Sequence, residues 1–134
     1  MTATPDLRAC AAEIAARQPG LTLFVLIGSR ARGTERPDSD WDFAYVGDDQ
    51  TDELNLIGEL VLALGTDKID LVNLDRAGGL IRYRAARDGK CLFEKSGAFQ
   101  RFWLEAVHFW CDAEPVLRKS FADAFEKLKE RTDG

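Results

Sequence analysis

The chain has 134 residues, 46% of them hydrophobic and 31% charged, with a net charge of −5 at pH 7. That length suits one domain with a proper core, and the acidic balance argues against a general nucleic-acid binder, whose affinity rests on neutralising phosphates. No apolar run approaches the ~20 residues of a membrane span, and "MTATPDLRAC" has neither the basic nor the apolar region of a secretory signal, so a cytoplasmic protein without a membrane partner is expected.

Thr4-Pro5 reads as an N-cap followed by proline at the first helical position, and Leu7, Ala11, Ile14 and Ala15 give a helical stripe ending at Pro19-Gly20. "LTLFVLI" (21–27) is a short, continuous apolar run bounded by glycines, the pattern of a strand buried on both faces. "DWDFAYV" (40–46) is a second strand. "TDELNLIGELVLALG" (51–65) is a helix, with Thr51 as cap and Leu54, Ile57, Val61 and Leu64 at helical spacing. "KIDLVNL" (68–74) is a third strand. Residues 77–87 form a helix with Leu80, Ile81 and Tyr83 partly buried, although Gly78-Gly79 weakens its start, and "CLFE" (91–94) is a short strand. Phe99, Phe102, Trp103, Ala106, Val107 and Trp110 then follow a helical stripe that reads as core. Pro115 divides this helix from a narrower stripe of Leu117, Phe121, Phe125 and Leu128 on an otherwise charged segment, expected to dock on a partner protein. Strands separated by helices mean an α/β architecture. A single domain over 1–134 is expected, with a core of about 1–95 and a helical extension of about 96–134. Cys10, Cys91 and Cys111 share no CxxC spacing and read as buried, reduced thiols, which suits a cytosolic protein. His108, the only histidine, lies off the aromatic stripe and has no nucleophile beside it, which argues against Ser-His-Asp hydrolysis.

The chemistry concentrates in "LFVLIGSRARGTERPDSDWDFAYV" (23–46). Asp40 and Asp42 interrupt an apolar strand, and residues two apart on a strand project from one face roughly 6.6 Å apart. Two ionised carboxylates there repel unless a cation lies between them, and hard oxygen ligands favour Mg²⁺ or Mn²⁺ over zinc. Asp70 interrupts the third strand; it joins the pair if the strands are neighbours, and otherwise caps a turn or pairs with Lys68. Three carboxylates could hold two divalent ions, the arrangement that clamps attacking and leaving oxygens in phosphoryl or nucleotidyl transfer. Gly28-Ser29 supplies the complementary half. A strand ending in Gly-Ser and opening a short helix presents N–H groups and a hydroxyl to an anion, and Gly28 leaves room for close approach. Arg30 and Arg32 follow with charge-assisted donors, although Arg30 reads equally well as a surface arginine.

"GSRARG…DSDWDF" resembles the G-S-x10-D-x-D signature of the nucleotidyltransferase superfamily that includes the DNA polymerase β catalytic fold, with ten residues, 30–39, between Ser29 and Asp40. The loop, the PDSD approach, the following D-L-V strand and "RAGGLIRYRAARDGKCLFEK" are most similar to the minimal nucleotidyltransferase (MNT) antitoxins. The resemblance implies a mixed β-sheet flanked by helices, with a helical C-terminal tail. It implies Mg²⁺-dependent transfer of AMP from ATP to a tyrosine of a HEPN-domain ribonuclease toxin, which neutralises it. On this resemblance Asp40, Asp42 and Asp70 ligate metal, Asp70 also accepting the acceptor's proton, while Gly28 and Ser29, with Arg30 and Arg32, hold the nucleotide. Two other classes compete: a small-molecule nucleotidyltransferase of the aminoglycoside-modifying kind, and a binding-only antitoxin. Small-molecule enzymes need extra structure to enclose the acceptor, and beyond its core this chain adds only a helical tail.

Overall fold

A computed structural model of the chain describes residues 6–112. Its elements run α1 (Leu7–Arg17), β1 (Leu21–Ile27), α2 (Ser29–Arg32), β2 (Trp41–Gly47), α3 (Glu53–Leu64), β3 (Ile69–Asn73), α4 (Gly79–Asp88) and β4 (Lys90–Glu94), followed by α5 over residues 98–112. The four strands make one mixed sheet in the order β3-β2-β1-β4. β1 is antiparallel to both β2 and β4, whereas β2 and β3 run parallel, joined by the α3 crossover. No helix among the described residues is long and apolar enough to cross a membrane.

β1 is buried on both faces, as its unbroken apolar run requires, because helices cover both sides of the sheet. One layer joins Phe24, Leu26, Trp41, Phe43 and Tyr45 to Ala11, Ile14 and Ala15 of α1 and Leu56 and Leu60 of α3. Phe43 stacks on both Phe24 (centroids 5.0 Å apart) and Trp41 (6.0 Å). The other layer sets Leu23, Val25 and Ala44 against Ala85 and Ala86 of α4 and Ala98, Phe102 and Ala106 of α5. Asp42 and Asp70 alternate with Trp41, Phe43, Ile69 and Leu71, so they project on this second side, toward α4.

Several local expectations are corrected. Asp6 caps α1, its Oδ1 accepting from the Arg8 and Ala9 amides, while Thr4 and Pro5 lie outside the described residues. Asp52, not Thr51, caps α3; the Thr51 hydroxyl instead donates to the Pro19 carbonyl at 2.9 Å. With leucines at 54, 56, 60, 62 and 64, α3 carries more than one apolar stripe, and packing on α1 selects Leu56 and Leu60, leaving Leu54 82% exposed. Ile81 is exposed, because α4 meets the sheet through the small side chains of Ala85 and Ala86. Gly79 is explained by close packing: a Cβ there would lie 2.1 Å from the Phe109 ring of α5, so glycine lets the two helices approach. The thiols are not buried, since Cys91 and Cys111 are exposed and Cys10 half-buried. Cys91 sits on β4 at the sheet edge and Cys111 on the outer side of α5. His108 is exposed, as expected. Pro115 and the stripe Leu117, Phe121, Phe125 and Leu128 lie outside the described residues.

Candidate active site

The site begins where β1 stops. Gly28 adopts φ 75 and ψ −159, a region essentially restricted to glycine, and turns the chain into the four-residue helix α2. Its carbonyl accepts from the Ala31 and Arg32 amides at 3.1 and 3.2 Å, and Gly33 closes the turn in the left-handed conformation. The Ser29 and Arg30 amides stand at the first turn of α2, where position leaves them no intrahelical acceptor.

Strand register brings the acids to this turn. Asp42 lies opposite Ile27 of β1 and, on its other side, directly opposite Asp70 of β3. The fit against Gly28 is close, since a Cβ on that residue would fall 2.3 Å from Asp42 Oδ2. Partial burial raises the Asp42 pKa above the usual carboxylate range, the charges of Asp70 and then Asp40 raise it further, and a hydrogen bond to Asp70 adds to this, while Arg32 opposes the shift. The two carboxyls face each other across the parallel strand pair. Asp40 stands exposed just before β2, near enough to act on Asp42 through its charge. Among the described residues no group of three or more acidic, histidine or cysteine side chains lies close enough together to hold a metal ion. The central unit is the Asp42–Asp70 pair with Asp40 at its margin. Its donors are all hard carboxylate oxygens with mutual repulsion, which suits a hard divalent cation.

A cavity of about 430 Å³ opens over the pair, lined by Gly28, Arg32, Asp42, Asp70 and, from α4, Ile81, Arg84, Ala85 and Asp88. Arg32 therefore joins the site, and Ser29 lies in the turn at its edge. Arg30 does not join it. Its guanidinium lies 4.2 Å over the Trp41 ring, its Nη2 donates to the Ser39 carbonyl at 2.9 Å, and it lines a different cavity with Leu7, Leu64 and Lys68. Adjacent residues of a helix diverge by about 100°, so Arg30 and Arg32 leave α2 on opposite sides. Arg30 grips the residues before and after Asp40, and thereby fixes the approach to β2. Its Nε is buried without a partner among the described residues, a cost offset by the stacking and the Ser39 bond. Arg84 and Asp88 are the lining residues that sequence reasoning missed; their i, i+4 spacing with Ile81 and Ala85 on one face of α4 was the available signal.

Comparison with known proteins follows the same lines. The family described as polymerase beta, nucleotidyltransferase, matches residues 11–98. The protein adenylyltransferase MntA of Aphanizomenon flos-aquae is 35% identical, with 72% of this chain and 73% of that protein covered. Among solved structures, a toxin–antitoxin complex with AMP-PNP matches at TM-score 0.67 and 22% identity, covering 87% of this chain and 99% of that one. The complex of the tri-AMPylated Shewanella oneidensis HEPN toxin with its MNT antitoxin matches at TM-score 0.62 and 20% identity, covering 86% and 96%. These two structures share the fold described above. The matched segment runs from α1 through the Gly28 turn and all four strands, and with it the chain belongs to the polymerase beta nucleotidyltransferase family.

Proposed function

We propose that the protein is the antitoxin of a HEPN/MNT pair, a protein adenylyltransferase that moves AMP from ATP to a tyrosine hydroxyl of its partner toxin and so neutralises it. The observation that carries this reading is the Asp42–Asp70 pair set against the Gly28 turn at the edge of an open cavity. Identity to MntA supports the chemistry, and the tri-AMPylated toxin of Shewanella oneidensis supports a protein acceptor that receives AMP more than once. The Ser29 and Arg30 amides and the Ser29 hydroxyl hold the triphosphate, and Arg32 neutralises part of its charge. Asp42 and Asp70, with Asp40 at their margin, would hold Mg²⁺, which when bound would neutralise the triphosphate and the charge that develops on the leaving oxygen. Asp70 takes the proton of the tyrosine as its oxygen bonds to the α-phosphorus and pyrophosphate departs. A reaction that consumes ATP suits a cytoplasmic protein. Mixing it with the product of the neighbouring gene, ATP and Mg²⁺, and measuring intact masses, tests the reading. A toxin whose mass does not change refutes it.

Two further outcomes are expected. No cysteine or histidine lines the cavity among the described residues, so activity should require Mg²⁺ or Mn²⁺ and survive a zinc-selective chelator. Inactivation by zinc removal alone would overturn the carboxylate assignment. Arg30→Ala should lower kcat by about 10–100-fold, the usual cost of losing a group that orients a metal ligand, with little change in KM for ATP. Amide exchange over residues 36–40 should quicken in the same variant; a rise in KM with kcat preserved would return Arg30 to the nucleotide.

A further inference from the structure

A second cavity, of about 580 Å³, adjoins the first and is lined by Arg32, Leu80, Tyr83, Arg84, Arg87 and Trp110. Arg32 and Arg84 line both, so they stand at the junction. Tyr83 of α4 and Trp110 of α5 stack with centroids 4.6 Å apart and rings 13° from parallel, and the Arg87 guanidinium lies 5.7 Å from the Tyr83 centroid. Arg87 is held by a two-pronged bond to Asp88 at 2.9 and 2.7 Å, whereas Arg32 and Arg84 make no salt bridge among the described residues. Stacked aromatics beside guanidinium groups are the chemistry of a site for single-stranded nucleotides: rings take a base of any identity and arginines take the phosphate.

We propose that this cleft holds an adenylate already attached to the acceptor, and so permits serial addition of AMP; the inference rests on the function proposed above. After the first transfer, the next nucleophile is a ribose hydroxyl of the attached AMP. For that oxygen to reach the carboxylate pair, the base and phosphate of the same nucleotide must lie to one side, and the cleft across the Arg32–Arg84 junction is placed to receive them. The ribose oxygen then bonds to the α-phosphorus of a new ATP, the α–β phosphoanhydride bond breaks, pyrophosphate leaves with the electron pair, and the hydroxyl proton passes to Asp70. Asp88 is paired with Arg87 and Arg32 serves the triphosphate, so Arg84 is the cation at the junction left for the single charge of the attached nucleotide's phosphodiester.

The test follows the intact mass of the partner toxin over time with the full chain, ATP and Mg²⁺. Arg87→Ala and Trp110→Ala are expected to add the first AMP at the wild-type rate and to slow later additions by about tenfold or more, the loss typical of removing a base-stacking side chain. Affinity for the dinucleotide pApA, measured by calorimetric titration, should fall by a similar factor while affinity for AMP-PNP holds. Arg87 is exposed, so its variant remains informative if Trp110→Ala fails to fold. The proposal is overturned if first and later additions slow equally with weakened AMP-PNP binding, which would give the cleft to ATP. An unchanged mass series, or a wild-type series that stops at one AMP, overturns it as well. A wild-type protein that adds no AMP at all refutes the underlying function instead.

Discussion

Replacing Asp42 by asparagine is expected to abolish AMP transfer and yet make the metal-free protein more stable at pH 7. The loss of rate should be on the order of 10³-fold, equivalent to the several kcal/mol of charge stabilisation that a well-ligated metal provides. The gain in stability follows from the facing acids. Burial and the Asp70 and Asp40 charges raise the Asp42 pKa, so the folded protein holds that proton more tightly than the unfolded chain does. Below the ordinary aspartate value of 3.8 both states are protonated and this stabilisation is fully present; as pH climbs through the raised pKa it is lost. Asparagine carries no charge to be penalised and can still donate to Asp70. Because the carboxyl is only partly buried the effect is modest, about 1–3 °C in Tm in the presence of a chelator. Melting curves at pH 4 and pH 7, with and without Mg²⁺, check the sign. The advantage should vanish at the lower pH and reverse when Mg²⁺ stabilises the wild type. A variant that melts lower than wild type at pH 7 without metal would show that the acids do not repel.

The part of this site legible in the sequence is the part written into spacing along the chain. Gly28 ends β1, and the ten residues before Asp40 are enough to build α2 and return β2 antiparallel, which sets Asp42 beside the turn. Asp70 was legible as an acid inside a short apolar strand, and the parallel β2–β3 pairing puts it opposite Asp42. The face of α2 that each arginine takes was not legible. Arg30 and Arg32 are equal as cations, and only the alternation of Trp41 with Asp42 on the neighbouring strand assigns one to the ring and the other to the acids. The contribution of α4 was hidden for a different reason. Its sheet-facing residues are Ala85 and Ala86, whose small side chains give little hydrophobic signal, so Leu80, Ile81 and Tyr83 dominated the pattern. Arg84 and Asp88 were carried to the cavity by that unreadable rotation.

Gly28→Ala should damage both stability and catalysis, more than any single loss of a phosphate donor from the same turn. Two independent costs fall on one methyl group. The backbone at φ 75 and ψ −159 strains a residue with a Cβ by about 1–3 kcal/mol. The methyl would also lie 2.3 Å from Asp42 Oδ2 and 3.1 Å from its Cβ and Cγ, so the carboxylate or the strand end must move. Either movement displaces Asp42 from Asp70, and a misplacement of about 1 Å in a catalytic group costs on the order of 10²-fold in rate. The two costs can be separated by a double-mutant cycle with Asp42→Ala. Shortening Asp42 removes the closest contact but leaves the backbone strain, so the double variant should be less destabilised than the sum of the two single changes. Chemical denaturation of the four proteins gives the coupling directly. If the two changes simply add, the methyl does not press on Asp42 and the close seating of the carboxylate against the turn is wrong. If Gly28→Ala alone keeps the wild-type Tm and rate, the turn tolerates a side chain and the account of how Asp42 is positioned fails with it.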